Sequence, residues 1–310
     1  MASITMEMEL AIIGAGSAGY AAGIYAGRAG IDAVIFDAGM GGGLATESPE
    51  IENYPGFKKI NGIELMEKMK DHAKDYAKFK FYEEVKEIKK AGDKFKLLTS
   101  KGEYEAGAVI ICTGTVHKKL GVKGEKELAG RGVSYCATCD GFFFKDKKVV
   151  VVGGGNSAVA EALYLEQVGC NVSIIHRRDM LRAEKMLGDE AVKRGIEIIW
   201  NSVVEEIVGK DKVEAVKIKD VKTGEERVIP VEGVFISIGE VPNSEIAKKA
   251  GVETDDYGYI KVDDMQRTNV KGIYAAGDVT GGVRQIVTAC AGGAKAALSS
   301  TEVLGKMYPF

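Results

Sequence analysis

The chain has 310 residues, 45% of them hydrophobic, with 42 Lys and Arg against 45 Asp and Glu and a formal net charge of −3. That length holds two domains with sizeable cores, and the near-neutral balance offers no overall attraction to nucleic acid or anionic lipid, so neither is an expected partner. No apolar run approaches the roughly 18 residues of a membrane span, and Met6, Glu7, Met8 and Glu9, running straight into an apolar strand, do not read as a signal peptide.

In chain order, the first element is an apolar strand over 10–13. Gly14, Ala15, Gly16, Ser17, Ala18 and Gly19 follow, then a small-residue helix to about 29 and a strand over 33–36 ending at Asp37. The unit returns later: a valine strand over 149–152, then Gly153, Gly154, Gly155, Asn156, Ser157 and Ala158, a helix to about 168, and a strand over 172–175 ending at His176, Arg177 and Arg178. In each, the first glycine permits the tight turn and the second lets backbone approach a pyrophosphate. The small third position lets helix pack on strand, with the phosphates at the helix N-terminus. A single such turn is weak, and a glycine-rich turn without a ligand reads the same. Two copies in strand and helix context, each with a meaningful residue ending the next strand, point to two dinucleotide sites.

That last residue separates the sites. Asp37, 23 residues after Gly14, can accept hydrogen bonds from ribose hydroxyls. Arg177, 24 residues after Gly153, with Arg178 and Arg182 nearby, offers guanidinium forks to a 2′-phosphate. The alternative for the arginines is a solvated basic helix start beside Asp179, Glu184 and Lys185.

Between the units, 80–99 and 101–111 alternate charged and apolar residues and predict strands of a small antiparallel layer. The run 108–111 ends at Cys112, Thr113 and Gly114, and 117–128 turn polar, which places a domain junction there. Past the second unit come strands near 203–208 and 213–220, a turn at Thr223 and Gly224, a strand over 234–238 and a return crossing over 239–243. The tail holds a strand over 272–276, Gly277 and Asp278, and an Ala- and Gly-rich helix over about 284–304 suited to close packing.

Cys136 and Cys139 lie just ahead of the second glycine turn. Two cysteines so spaced can close a small disulfide and lower one thiol's pKa, giving a pair that accepts electrons and passes them on by thiolate exchange. Zinc needs four ligands, and no second Cys-x-x-Cys or Cys/His pair exists among five cysteines and three histidines, so no metal is expected. Cys112, Cys170 and Cys290 read as small buried hydrophobes, and odd, scattered thiols fit a reducing cytoplasm. His72 and His117, beside no motif, read as surface residues.

In order and spacing, the segments 14–19, 41–44, 52–56, 113–114, 136–141, 153–158, 176–178, 239–243, 277–278 and 284–285 make the chain resemble, end to end, the low-molecular-weight thioredoxin reductases, FAD-dependent pyridine nucleotide-disulfide oxidoreductases. The resemblance implies an α/β fold of two Rossmann-like dinucleotide-binding domains. The NADPH domain, 116–243, carries the Cys-x-x-Cys and is inserted into a discontinuous FAD domain, 1–115 and 244–310. It further implies a homodimer that passes electrons from NADPH through FAD and the Cys136–Cys139 disulfide to oxidised thioredoxin or a thioredoxin-like protein, the domains changing orientation between half-reactions.

Carried over by position, Gly14, Gly16, Ser17, Ala18 and Gly19 would approach the FAD pyrophosphate and Asp37 its adenosine ribose. Gly43, Leu44 and Asn53 would lie near the flavin, Thr113 and Gly114 on the crossing beside it, Gly277 and Asp278 by the ribityl chain, and Arg284 and Gln285 by the isoalloxazine. Gly153, Gly155, Asn156, Ser157, Ala158, His176, Arg177, Arg178 and Arg182 would hold NADPH. Cys139 would face the flavin, Cys136 would attack the partner's disulfide, and Asp140 would manage the thiol protons. Gly43 and Leu44 stand where many members have a Gln between them, which leaves a side-chain hydrogen bond to the ring open to question, and Cys112 replaces a usual Ala. Rival readings are a reductase of a glutaredoxin-like or peroxiredoxin partner, the latter kind carrying an extra N-terminal dithiol domain, and a non-catalytic flavin redox sensor, for which the sequence supplies no DNA-reading helix or basic arm.

Overall fold

The computed structural model describes residues 6–48 and 50–307. They form two compact units: one from the chain up to Val116 together with the chain from Val241 onward, the other from His117–Glu240.

The first unit opens with β1 (Met6–Ile13), α1 (Ser17–Arg28) and β2 (Ala33–Phe36), β1 and β2 pairing in parallel with Leu10 opposite Ala33. α2 (Gly62–Lys74) starts on Asn61, whose side chain accepts the N–H groups of Ile63 and Glu64, and it buries Leu65, Met66 and Ala73. β3 (Lys78–Lys80) adds in parallel to β2. β4 (Val85–Ala91), β5 (Lys94–Thr99) and β6 (Glu103–Ile111) then run antiparallel.

The predicted antiparallel layer is not separate. β6 also pairs in parallel with β1, from Tyr104 opposite Met6 to Ile111 opposite Ile13, so one sheet runs β3-β2-β1-β6-β5-β4. The reason lies in β6 itself: its first half alternates, while Ala108, Val109, Ile110 and Ile111 are wholly buried, as a strand covered on both faces must be.

The chain leaves through β7 (Thr115–His117). The second unit holds β8 (Val133–Ser134), α3 (Ala137–Asp140), β9 (Lys148–Gly153), α4 (Asn156–Gln167), β10 (Asn171–Ile175), α5 (Lys185–Lys193), β11 (Glu197–Ile199), β12 (Ser202–Gly209), β13 (Val213–Asp220), β14 (Glu226–Pro230) and β15 (Gly233–Ser237). A parallel sheet runs β11-β10-β9-β15-β8, its centre the buried valines 149–152 and Phe235, and β12, β13 and β14 form an antiparallel ribbon.

β16 (Glu240–Pro242) returns and pairs with β7. α6 (Glu245–Lys249), β17 (Ile273–Ala275), which pairs with β6, and α7 (Ile286–Ser300) complete the first unit. α7 is shorter than predicted at both ends. Gln285 and Thr288 close a reciprocal capping box at its start. Past its end the hydroxyls of Ser300 and Thr301 turn back to the carbonyls of Ala297 and Leu298, and Gly305 is left-handed at φ +65°. Among the described residues, no helix is long and apolar enough to cross a membrane.

Candidate active site

Two backbone turns of nearly identical design sit at the heads of α1 and α4. In the first, Gly14 is left-handed at φ +107°, and a Cβ on it would fall on the Cys112 carbonyl; a Cβ on Gly19 would fall on the Gly14 carbonyl. Close backbone approach demands both glycines. Gly16 differs: a Cβ there would meet nothing within 4 Å. It caps α1 in extended conformation, with no side-chain cap and no acidic residue in the first turn, so the helix offers unsatisfied N–H groups and open space to an anion.

The expected flavin residues collect around this helix start. Asp37 accepts the Ala15 N–H at Oδ2 and the Gly39 N–H at Oδ1, both at 2.8 Å, which fixes the carboxylate against the turn. Gly41, Gly42 and Gly43 are three successive left-handed residues. Gly42 N–H donates to the Ala15 carbonyl at 2.7 Å, and a Cβ on Gly43 would lie 3.6 Å from Gly16 Cα, so the loop leading to Leu44 lies on the glycine turn. Gly277 packs on Ala18 and leads into Asp278, while Gly293 of α7 rests on the Ala18 carbonyl. That approach brings the N-terminal half of α7 to the first turn of α1, where Cys290 Sγ lies 3.7 Å from the Ser17 carbonyl. There Asn53 Nδ2 donates to Gln285 Oε1 at 3.0 Å, joining two residues 232 positions apart. Thr113 Oγ1 donates to the Asn243 carbonyl and Asn243 Nδ2 to the Thr113 carbonyl, at 2.7 and 2.9 Å, with Gly114 next in the chain. Arg284 donates to the Tyr259 hydroxyl at 3.0 Å.

The second turn repeats the first. A Cβ on Gly153 would fall on the Ser237 carbonyl, and Ala158 stands where Gly19 stood. Gly155, like Gly16, caps its helix in extended conformation and faces open space. Gly154 has its own reason, since a Cβ there would strike the His176 ring. Burial and the flanking Arg178 and Arg177 hold His176 below its usual pKa, so it is neutral at pH 7, and its Nε2 lies 3.0 Å from the Met180 carbonyl.

The loop after β10 is fastened to this turn. Arg182 N–H and Ala183 N–H donate to the Gly154 carbonyl at 2.7 and 3.1 Å. Asn156 accepts the Glu184 N–H at 2.7 Å and donates Nδ2 to Glu184 Oε1 at 3.3 Å. Arg177, Arg178 and Arg182 are exposed, and among the described residues their guanidiniums form no ion pair. Asp179 is engaged by Lys222 at 2.7 Å. Three guanidiniums without an ion pair among the described residues, on a loop fastened to an uncapped helix start, are groups of the kind a phosphate dianion would require.

Cys136 and Cys139 are joined in a disulfide, their Cα atoms 5.3 Å apart. Cys136 caps α3, and its carbonyl accepts the N–H groups of Cys139 and Asp140. Asp140 is therefore carried on the same short turn as the disulfide. Its Oδ2 accepts the Ser134 hydroxyl at 2.5 Å, while Oδ1 is buried without a hydrogen-bond partner. Burial pushes its pKa up, and the Ser134 bond opposes that in part. Ser134 Oγ also accepts the Cys136 N–H at 3.1 Å, so one hydroxyl ties together the cysteine turn and the acid. Nothing in the spacing of the motif marks Ser134.

His117 is not the surface residue its sequence context suggested. It stacks on Tyr135, ring centroids 5.0 Å apart, and its Nδ1 lies 3.5 Å from Glu240. Tyr135 in turn donates to the buried Glu125 carboxylate at 2.8 Å. The three free thiols are kept protonated by burial, which pushes Cys112 up to about 12 and Cys170, whose Sγ lies 3.5 Å from the Gly141 carbonyl, and Cys290 up to about 11.

Comparison with known proteins places this arrangement. The pyridine nucleotide-disulphide oxidoreductase family matches residues 8–293. The thioredoxin reductase of Listeria monocytogenes is 46% identical over 311 residues, covering 99% of this chain and 97% of that protein, and that of Bacillus subtilis is 45% identical over 295 residues, covering 94% and 93%. Among solved structures, the thioredoxin reductase of Streptococcus pyogenes superimposes with a TM-score of 0.91 at 42% identity, covering 97% of this chain and 99% of that one. The T. acidophilum thioredoxin reductase gives 0.66 at 48% identity, covering 96% and 98%.

Proposed function

This chain belongs to the pyridine nucleotide-disulphide oxidoreductase family, as a flavoprotein of the thioredoxin reductase type, and from that we propose its site assignments: FAD on the glycine turn of α1, NADPH on that of α4, and oxidised thioredoxin or a thioredoxin-like protein as the disulfide substrate. The observation that carries the reading is the Cys136–Cys139 disulfide with the partly satisfied Asp140 beside it, in the same unit as a phosphate-type site built from Arg177, Arg178 and Arg182. The open Cα positions of Gly16 and Gly155, at uncapped helix starts, fit two pyrophosphates.

When bound, the flavin supplies the hydride-accepting chemistry that links a two-electron pyridine nucleotide to a disulfide. The chain's residues do the remainder. Opening the Cys136–Cys139 bond takes two electrons and leaves two thiolates; Asp140, next to Cys139, gives the proton that makes Cys139 a thiol and takes it back when Cys139 attacks, while Cys136 stays thiolate. Cys136 as thiolate then attacks a sulfur of the partner's disulfide, forming the mixed disulfide and breaking the partner's bond. Attack by Cys139 on Cys136 Sγ re-forms the internal disulfide and releases the partner with both cysteines reduced. Coenzyme site and disulfide share one unit while the flavin residues belong to the other, so the reading includes alternating unit orientations during turnover. A homodimer and a cytoplasmic setting, consistent with three unpaired thiols, belong to the same proposal.

The test is an anaerobic NADPH titration of the purified flavoprotein, followed by oxidised thioredoxin. Uptake of two reducing equivalents beyond the flavin, reoxidation by thioredoxin, and loss of reoxidation in Cys136→Ser support the assignment. Reoxidation by a glutaredoxin-like protein but not by thioredoxin would move the substrate and leave the cofactors; reoxidation only by oxygen or peroxide would remove the disulfide substrate altogether.

A further inference from the structure

The side chain of Asn156, an expected coenzyme contact, is committed elsewhere. Its Oδ1 accepts the Glu184 N–H at 2.7 Å and its Nδ2 donates to Glu184 Oε1 at 3.3 Å, so both ends of the amide engage one residue of the arginine loop. The loop 177–184 carries all three arginines, is held to the glycine turn on its other side by the Gly154 carbonyl, and contains Glu184 two residues after Arg182. Exposed arginines lose rotamer freedom on binding, and a carboxylate loose among them would compete with a phosphate for the same forks. Fixing the loop lowers the first cost; holding the carboxylate removes the competitor.

We propose that Asn156 is a positioning residue for the 2′-phosphate subsite: it locks the 177–184 loop to the glycine turn and keeps the Glu184 carboxylate from pairing with Arg177, Arg178 and Arg182. This rests on the reading that the second unit takes a 2′-phosphorylated coenzyme, and the test separates the two. Asn156 is the first residue of α4, where Ala and Asp are both good helix residues, so its variants keep the fold.

The experiment is calorimetric binding of 2′,5′-ADP and of 5′-AMP to the holoprotein, with NADPH and NADH kinetics beside it. Asn156→Ala loses about tenfold in 2′,5′-ADP affinity, as expected for hydrogen bonds involving a charged group, while 5′-AMP affinity changes less than about twofold. KM for NADPH rises by more than KM for NADH. Asn156→Asp, which sets a second carboxylate against Glu184, loses at least as much. Asn156→Asp combined with Glu184→Gln, which restores one donor to one acceptor, returns to the level of Glu184→Gln alone. If the unaltered protein binds 2′,5′-ADP no better than 5′-AMP, the coenzyme reading fails. If it discriminates and Asn156→Ala discriminates equally, or loses both ligands alike, the positioning role fails and the coenzyme reading stands.

Discussion

At the scale of single residues, the proposed chemistry turns on one carboxyl and one hydroxyl. Burial raises the Asp140 pKa and the Ser134 hydroxyl, donating to Oδ2, lowers it. The folded chain therefore holds this proton more tightly than the unfolded chain does, and the stability it contributes is full below the ordinary carboxylate pKa and is lost as pH rises through the folded value. Ser134→Ala removes the opposing bond, so that loss extends to higher pH. Measured by denaturant unfolding, the variant's deficit grows as pH rises through the acid range, and the limb of the kcat/KM profile set by Asp140 moves upward. In an Asp140→Asn background the pH-dependent part of the deficit vanishes, leaving only the pH-independent cost of the hydrogen bonds Ser134 makes. A deficit that is constant with pH in both backgrounds would show that Ser134 does not act on Asp140.

The free thiols give a second residue-scale prediction. Cys112 is pushed up to about 12 by burial, and a thiol rather than a thiolate is a poor nucleophile. After reduction, alkylation at pH 7 followed by peptide mass analysis labels Cys136 or Cys139 at least about a hundredfold faster than Cys112. Comparable labelling would give Cys112 a reactivity its burial denies.

At the scale of elements, the two glycine turns separate packing from binding within one motif. Gly19→Ala drives a Cβ into the Gly14 carbonyl and costs about 1–3 kcal/mol of stability through overpacking. The Cβ added by Gly16→Val or Gly155→Val meets no protein atom within 4 Å, so the thermal midpoint of the apoprotein moves little, while flavin content falls in the first and 2′,5′-ADP binding in the second. A stable Gly16→Val protein that retains full flavin would show that the open space is not the pyrophosphate's. The turns were legible in the sequence because their logic is local: a strand, three small residues and a helix, with the discriminating residue at the end of the next strand.

Where partners come from far along the chain, legibility stops. Asn53 and Gln285 stand apart in sequence and meet only because Gly293 lets α7 close on α1. β6 was read from its alternating half, and only the sheet shows that its apolar half is shared with β1. His117 lacked any motif neighbour, yet it is placed by a ring and a carboxylate, Tyr135 and Glu240, that the chain delivers 18 and 123 residues later. Ser134 and Glu184 act by hydroxyl and backbone contacts that residue type and spacing do not encode.

At the scale of the whole molecule, the inserted unit is joined to the other by two crossings that run side by side. β7 pairs with β16, Asn243 N–H donates to the Gly114 carbonyl at 3.0 Å, and Lys118 N–H donates to the Gly239 carbonyl at 3.0 Å. Paired crossings bend together about one line, which suits a hinge better than two independent linkers. Gly114 and Gly239 flank the pair in left-handed conformation, φ +64° and +102°. A Cβ on Gly114 meets nothing, and on Gly239 only the Lys118 chain at 3.8 Å, so their freedom is not required by packing. It is available to motion. Gly114→Ala with Gly239→Ala meets little in space but strains both left-handed positions and restricts the backbone, and if the crossings carry a change of orientation between half-reactions, kcat falls about tenfold at a temperature where the variant is still folded. The number of reducing equivalents taken up at equilibrium stays the same, because both redox groups remain in place. An unchanged kcat in this double variant would make the crossings plain connectors and place the motion, if turnover needs one, elsewhere in the chain.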